Sequence, residues 1–354
     1  MALHQLIQRL LLVGAKLAPR VYSPAAQPPT ALLPLVAAFT PEHDRFDFDA
    51  LHFGNRYRSG FWAIYLLSAL AVLCAVIPLA LGWDSPRHLL HPFAGAWAMV
   101  EVALITAVLL IYWRGHRSDW QGQWLRERTT AELTWYLPML APLLQFDAEA
   151  LNAPTNWYLR VFDPDQHWHD ADKVAALCAR NELLAQKLLA HAWSDPSFVS
   201  SYGQWAANIL TQQQHYHHAI AVKQHALLHR VHRLNSWLFG LTAVCALMHL
   251  LVHSLWLSLV TTFFPALGAS LHGALAQSES YRLAATSERL EVQLQSAVAR
   301  VHAAMGAAGG GDGGGDSGAD SEALKAAVKS AIALILEEHQ DWQMLVRPHH
   351  LPLA

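Results

Sequence analysis

From Ser236 to Ala276 the chain runs for 41 residues without a Lys, Arg, Asp or Glu. One membrane-spanning helix needs about 20 apolar residues. The run is long enough for two, and it reads as two spans folded into a hairpin. The turn falls at His253-Ser254, where two polar residues interrupt it. The competing reading is one long buried helix of a soluble protein. A second apolar pair upstream, residues 61–83 and 92–113, argues against it. That pair is split by the short polar turn DSPRHLLH.

Four spans make this an all-α integral membrane protein: two transmembrane hairpins extended into a cytoplasmic helical bundle. Composition agrees. Only 14% of residues are charged, and the 14 Trp suit a protein with membrane interfaces to anchor. Trp62, Trp83 and Trp113 fall at span ends, where such belts form. A net charge of -3 gives no footprint for nucleic acid. The cysteines are Cys74, Cys178 and Cys245. Two lie in spans and none forms a CxxC pair, so neither a disulfide framework nor a zinc signature is present, and the soluble parts suit a reducing compartment.

The chain divides as follows. Residues 1–44 form an N-terminal segment and linker. The opening residues read either as a signal peptide or as an interfacial amphipathic helix. Residues 45–113 carry the first hairpin and 114–235 a cytoplasmic helical region. Residues 236–276 are the second hairpin, 277–305 a cytoplasmic helix, 306–320 a Gly-rich linker, and 321–354 a C-terminal helix and tail.

Trp113, Trp120, Trp124, Ala131 and Trp135 are spaced 7, 4, 7 and 4. At helical periodicity they share one face. The second span is therefore expected to continue as one long helix ending near Pro138. Residues 170–192 contain helix-like fragments, and 163–172 reads as a loop. A further helix from about Tyr202 to Leu234 has Ile220, Leu227, Val231 and Leu234 on one face and is expected to run straight into the third span. Leu283, Leu290, Leu294, Ala297 and Val301 form a seam that requires a partner helix. In the last helix Leu324, Val328, Ala331 and Ile335 line one side.

Orientation follows from the basic residues. Arg45, Arg56, Arg58, Arg114, Arg117, Arg126, Arg128, Lys223, Arg230, Arg233, Arg282 and Arg289 flank the spans on one side. The two opposite turns carry only Arg87. The positive-inside rule places both termini and most soluble mass in the cytoplasm.

Glu101, near the middle of the second span, is the first candidate for chemistry. An acid at mid-bilayer costs roughly 2.5–3.5 kcal/mol on insertion scales and usually faces the bundle interior or water. It reads either as a pore-lining or proton-linked carboxylate, or as a protonated packing residue. Ser258, Thr261 and Thr262 lie at similar depth, with His249 and His253 nearer the outer surface as interior polar residues or a metal path. Pro265 predicts a kink, and Gly268 and Gly273 let a neighbouring helix approach closely. His218, His225, His229 and His232 form a stripe opposite an apolar seam. Such a stripe serves as metal ligands, as a pH sensor, or simply as a solvated face. No phosphate-binding Gly loop or nucleophile elbow is present. No enzyme activity and no cofactor are expected.

The segments RYRSGFWAIYLL, RERTTAELTWYLPMLAPL, ILTQQQHYHHAIAV, FFPALGASLHGALAQSESYRLAATSERLEVQL and ILEEHQDWQMLVRPHHLPL resemble bacterial four-span membrane proteins organised like the SLATT superfamily (SMODS- and SLOG-associating two-span effectors). The resemblance covers residues 45–354 in pieces and includes no catalytic motif. It implies a membrane effector controlled by a separate cytoplasmic nucleotide-sensing protein, acting in conflict with phage or plasmids. Two hairpins rather than one, and no sensor domain in the chain, depart from that pattern. The expected function is an oligomeric inner-membrane effector or channel, in contact with lipid and with copies of itself. The alternatives are a non-conducting scaffold docking a cytoplasmic partner, and a metal or proton transporter.

Overall fold

The computed structural model describes residues 2–17, 27–83, 85–143, 192–252, 254–309 and 317–346. Among them the secondary structure is helical, with no strand. The helices are α1 (Leu3–Leu11), α2 (Leu33–Leu81), α3 (Ala94–Arg117), α4 (Trp120–Leu140), α5 (Pro196–Leu251), α6 (Leu255–Gln277), α7 (Ser280–Gly309) and α8 (Ser317–Val346). Four helical stretches, in α2, α3, α5 and from α6 onward, are long and apolar enough to cross a membrane. The expected loop and helix fragments at 163–192 lie, up to residue 191, outside the described residues, as do His253 and the centre of the Gly-rich linker.

Two helices are much longer than a span. α2 has 49 residues and begins at Leu33, inside the stretch read from sequence as segment and linker. Pro34 sits in its first turn, where a missing N–H costs nothing. The helix ends where Gly82 turns left-handed at φ 68°. There the Trp83 N–H reaches the Pro78 carbonyl at 2.9 Å, a Schellman closure. α5 has 56 residues, is capped by the Asp195 carboxylate on the Ser197 N–H, and runs unbroken to Leu251.

The second span does not continue as one helix to Pro138. The chain breaks at Ser118-Asp119, where Asp119 adopts φ 41° and its carboxylate accepts the Gly122 N–H at 3.1 Å. This N-cap starts α4 afresh and rotates it relative to α3. The expected tryptophan face therefore splits: Trp124 is buried, whereas Trp113 and Trp135 are exposed. Pro138 stays inside α4, which ends at Leu140.

Three zones result. The first is a polar body in which α4, α7, α8 and the early parts of α2 and α5 share a core that includes Leu35, Tyr136, Leu210, Leu294 and Val328. The seam on α7 finds its partner in α5: Leu290, Leu294, Ala297 and Val301 are at most 1% exposed. Beyond it is a neck, where α1 docks through Leu12 and Ile7 beside Tyr57, Phe61, Trp62, Trp124, Leu227 and Val231. The third zone is an apolar arm of α3, α6 and the later parts of α2 and α5. In the arm α2 packs on both α3 and α6, and α6 packs also on α5. Of the apolar windows, 28% is buried in α2 and in the stretch from α6, but only 6% in α3 and α5. α3 and α5 are thus the flanks of the arm.

Candidate functional site

In the arm, Glu101 lies half-exposed on α3, whose main neighbour is α2. Ser258 and Thr261, half-buried, and Thr262, exposed, lie on α6, with α2 between them and α3. One copy of the chain therefore does not gather these groups around Glu101. Thr261 instead donates its hydroxyl to the Ser258 carbonyl at 3.1 Å, one turn before Pro265. His249 is half-buried on α5. The two glycines mark helix crossings. A Cβ at Gly273 would lie 2.5 Å from the Tyr65 ring of α2, and one at Gly268 would lie 3.3 Å from Phe239 of α5.

The histidine stripe does not converge on a metal. Among the described residues no group of three His, Cys, Asp or Glu is placed to hold one. His218 instead meets Glu291 at 3.0 Å and His225 meets Glu288 at 3.4 Å, both across the α5–α7 packing. His229 accepts from Arg233 one turn on, at 2.8 Å, and His232 is exposed. Part of the stripe faces acids that arrive more than 60 residues later in the chain, beyond the reach of local periodicity.

The neck holds a different constellation. A cavity of about 380 Å³ opens there between α1, α2, α4, α5 and the α6–α7 junction. Arg58 of α2 and Lys223 of α5 both line it. Arg58 is fixed: its Nε donates to the Gly54 carbonyl at 3.2 Å and its guanidinium lies 4.9 Å over the Trp124 ring, which in turn stacks on Tyr57. Gly54 is required for this, because a Cβ there would come within 2.8 Å of Trp124 and 2.9 Å of the Arg58 guanidinium. Arg128, a third basic residue of the wall, is engaged by Asp47 at 3.2 Å and by Glu132.

Electrostatics separate these three cations. Burial opposes the charge on Arg128, but Glu132, Tyr216 and Asp47 outweigh it and raise its pKa. Arg58 is pushed down by burial and then by Arg128. Lys223 is pushed down by burial and then by Arg58. The neighbouring His217 falls to about 4 through burial and Arg128, and His4 to about 4 through burial, Arg58 and Lys223. Among the described residues the carboxylates of the wall pair with Arg128 and Arg282, and none is placed on Arg58 or Lys223.

Sequence reasoning used Arg58 and Lys223 only to orient the spans. A signal was nevertheless there. Lys223 and Gln224 fall between Ile220 and Leu227 at helical spacing, on the apolar seam itself. A charge on such a seam must face something.

No family model, curated protein or solved structure matches this chain. Its functional reading therefore rests on the geometry just described.

Proposed function

We propose that the chain is a multi-pass effector of the bacterial inner membrane, acting as a homo-oligomeric channel or channel-like assembly. Its polar body and both termini face the cytoplasm. The observation that carries this reading is Glu101 on α3, one of the two flanks of the arm, with only 6% of its apolar window buried. A carboxyl group in hydrocarbon is costly, and neighbours that bury or hydrate it relieve the cost. Within one copy only α2 packs extensively on α3; a second copy laid against α3 would enclose Glu101 at the interface, lining a wet path. α2 and α5 are continuous from body to arm, so a partner docking on the body would shift the arm directly. That link suits control by a separate nucleotide-sensing protein, as the SLATT resemblance implies, and a role in bacterial defence.

Planar-bilayer recordings and mass photometry of the purified protein test this. Oligomers with conductance that changes at least severalfold in Glu101→Gln are expected. Monomers without conductance in any condition would overturn the reading. Oligomers whose behaviour is indifferent to Glu101→Gln would favour a scaffold.

A further inference from the structure

We propose that the neck cavity is a binding site for a phosphate-bearing anion, held between Arg58, Lys223 and the N-terminus of α7. The site goes beyond the conduction reading and does not depend on it.

Three independent features converge there. The first is charge. Among the described residues no carboxylate is placed on Arg58 or Lys223, whereas Arg126, Arg128 and Arg282 each have one, Asp119, Asp47 with Glu132, and Glu279 respectively. Half-buried cations without a counter-charge destabilise a fold unless an anion arrives. With its Nε committed to Gly54, Arg58 still has its terminal nitrogens, which suit the paired oxygens of a phosphate.

The second feature is the α6–α7 junction. Glu279 takes φ 51° and turns the chain so that α7 starts at Ser280 in the cavity wall. Ser278, Glu279 and Ser280, at the start of a 30-residue helix, therefore line the same space, the Ser278 hydroxyl being held by the Leu275 carbonyl and Ser280. A helix N-terminus favours negative charge.

The third is a set of buried polar atoms with nothing to bond. Gln224 Oε1, His217 Nδ1 and Ser287 Oγ lack a hydrogen-bond partner. Their residues are 7%, 8% and 0% exposed, and all three line the cavity. Such atoms cost free energy unless satisfied. The Ser287 hydroxyl, the Gln224 amide turned over, and the His217 ring in its Nδ1–H form are all donors for phosphate oxygens. The carboxylates of the wall, Asp47, Glu132 and Glu279, are engaged by arginines and limit the site to a compact anion.

A cavity of this size takes a small phosphate compound or a phospholipid headgroup, and the chemistry of recognition is the same for both. Thermal unfolding of the full chain in neutral detergent separates them. One arm titrates inorganic phosphate and nucleoside mono- and triphosphates against chloride at matched ionic strength. The other compares phosphatidylcholine nanodiscs with and without phosphatidylglycerol. A saturable rise in Tm is expected in at least one arm. A rise with soluble phosphates assigns a free compound; a rise with phosphatidylglycerol alone assigns the headgroup. Lys223→Met is expected to weaken the apparent affinity by about tenfold or more while raising Tm in anion-free detergent, which a misfolded variant would not do. Arg58→Gln should weaken binding similarly, and the exposed Arg233→Gln should not. No rise in either arm, or a rise unchanged in Lys223→Met, would overturn the proposal. Because binding is read without conduction, its failure and that of the channel reading are distinguishable.

Discussion

The body and the neck are built from the same helices and solve opposite problems. In the body, α5 and α7 meet along Leu290, Leu294, Ala297 and Val301, and even the loose ends are tied. The final carbonyls of α4 lack helical partners, and Tyr202 Oη donates to Met139 at 2.7 Å while Trp193 Nε1 donates to Pro142 at 2.6 Å. A few turns along, the neck leaves Gln224, His217 and Ser287 unpartnered and sets Arg58 against Lys223. The difference teaches where the chain is committed to shape and where it is committed to something that is not part of it.

The contrast is breakable by mutation. Leu294→Ala in the body removes a side chain that is 0% exposed at the centre of the α7 seam. It should cost about 2–5 kcal/mol, read as a lowered denaturation midpoint. A cost under about 0.5 kcal/mol would mean that the body is loosely packed.

Acid should strike the neck next. His217 and His4 are held neutral at about 4, against an ordinary 6.5. The unfolded chain then takes up protons first as pH falls. Their contribution is complete above about pH 6.5 and is lost progressively down to about 4. A decline of about 2 kcal/mol per histidine between pH 7.5 and 4.5 is expected, and His217→Gln should remove its share. Equilibrium unfolding at a series of pH values measures this; a slope unaffected by His217→Gln would place the sensitivity elsewhere.

The smallest effect sharpens the account of the body. Tyr202→Phe keeps the ring against Trp193 and Phe198 but strips the bond to Met139. A loss of about 1 kcal/mol is expected, visible as faster amide exchange at the end of α4.

How far the sequence carries depends on the reach of each signal. The apolar run at 236–276 is legible because hydropathy is local, and the α7 seam because its spacing is. The break at Asp119 is hidden by tryptophans whose spacing runs across it. Its cue was Ser118-Asp119 three residues before Gly122, a capping pattern overridden by a longer periodicity. The early start of α2 is obscured by two prolines, Pro34, which stands in a first turn, and Pro41, which is carried inside the helix. The acids opposite His218 and His225, and the meeting of Arg58 with Lys223, are tertiary facts. No single helix announces which residue of another it will face.

Pro78, near the end of α2, has no N–H for the carbonyl of Cys74 one turn back. Trp97 of α3 supplies the missing donor, Nε1 to the Cys74 oxygen at 2.7 Å. The consequence is a dependence of one helix on the next. α2 without α3 would carry an unmet carbonyl near its end, so the second helix of this pair completes the hydrogen bonding of the first.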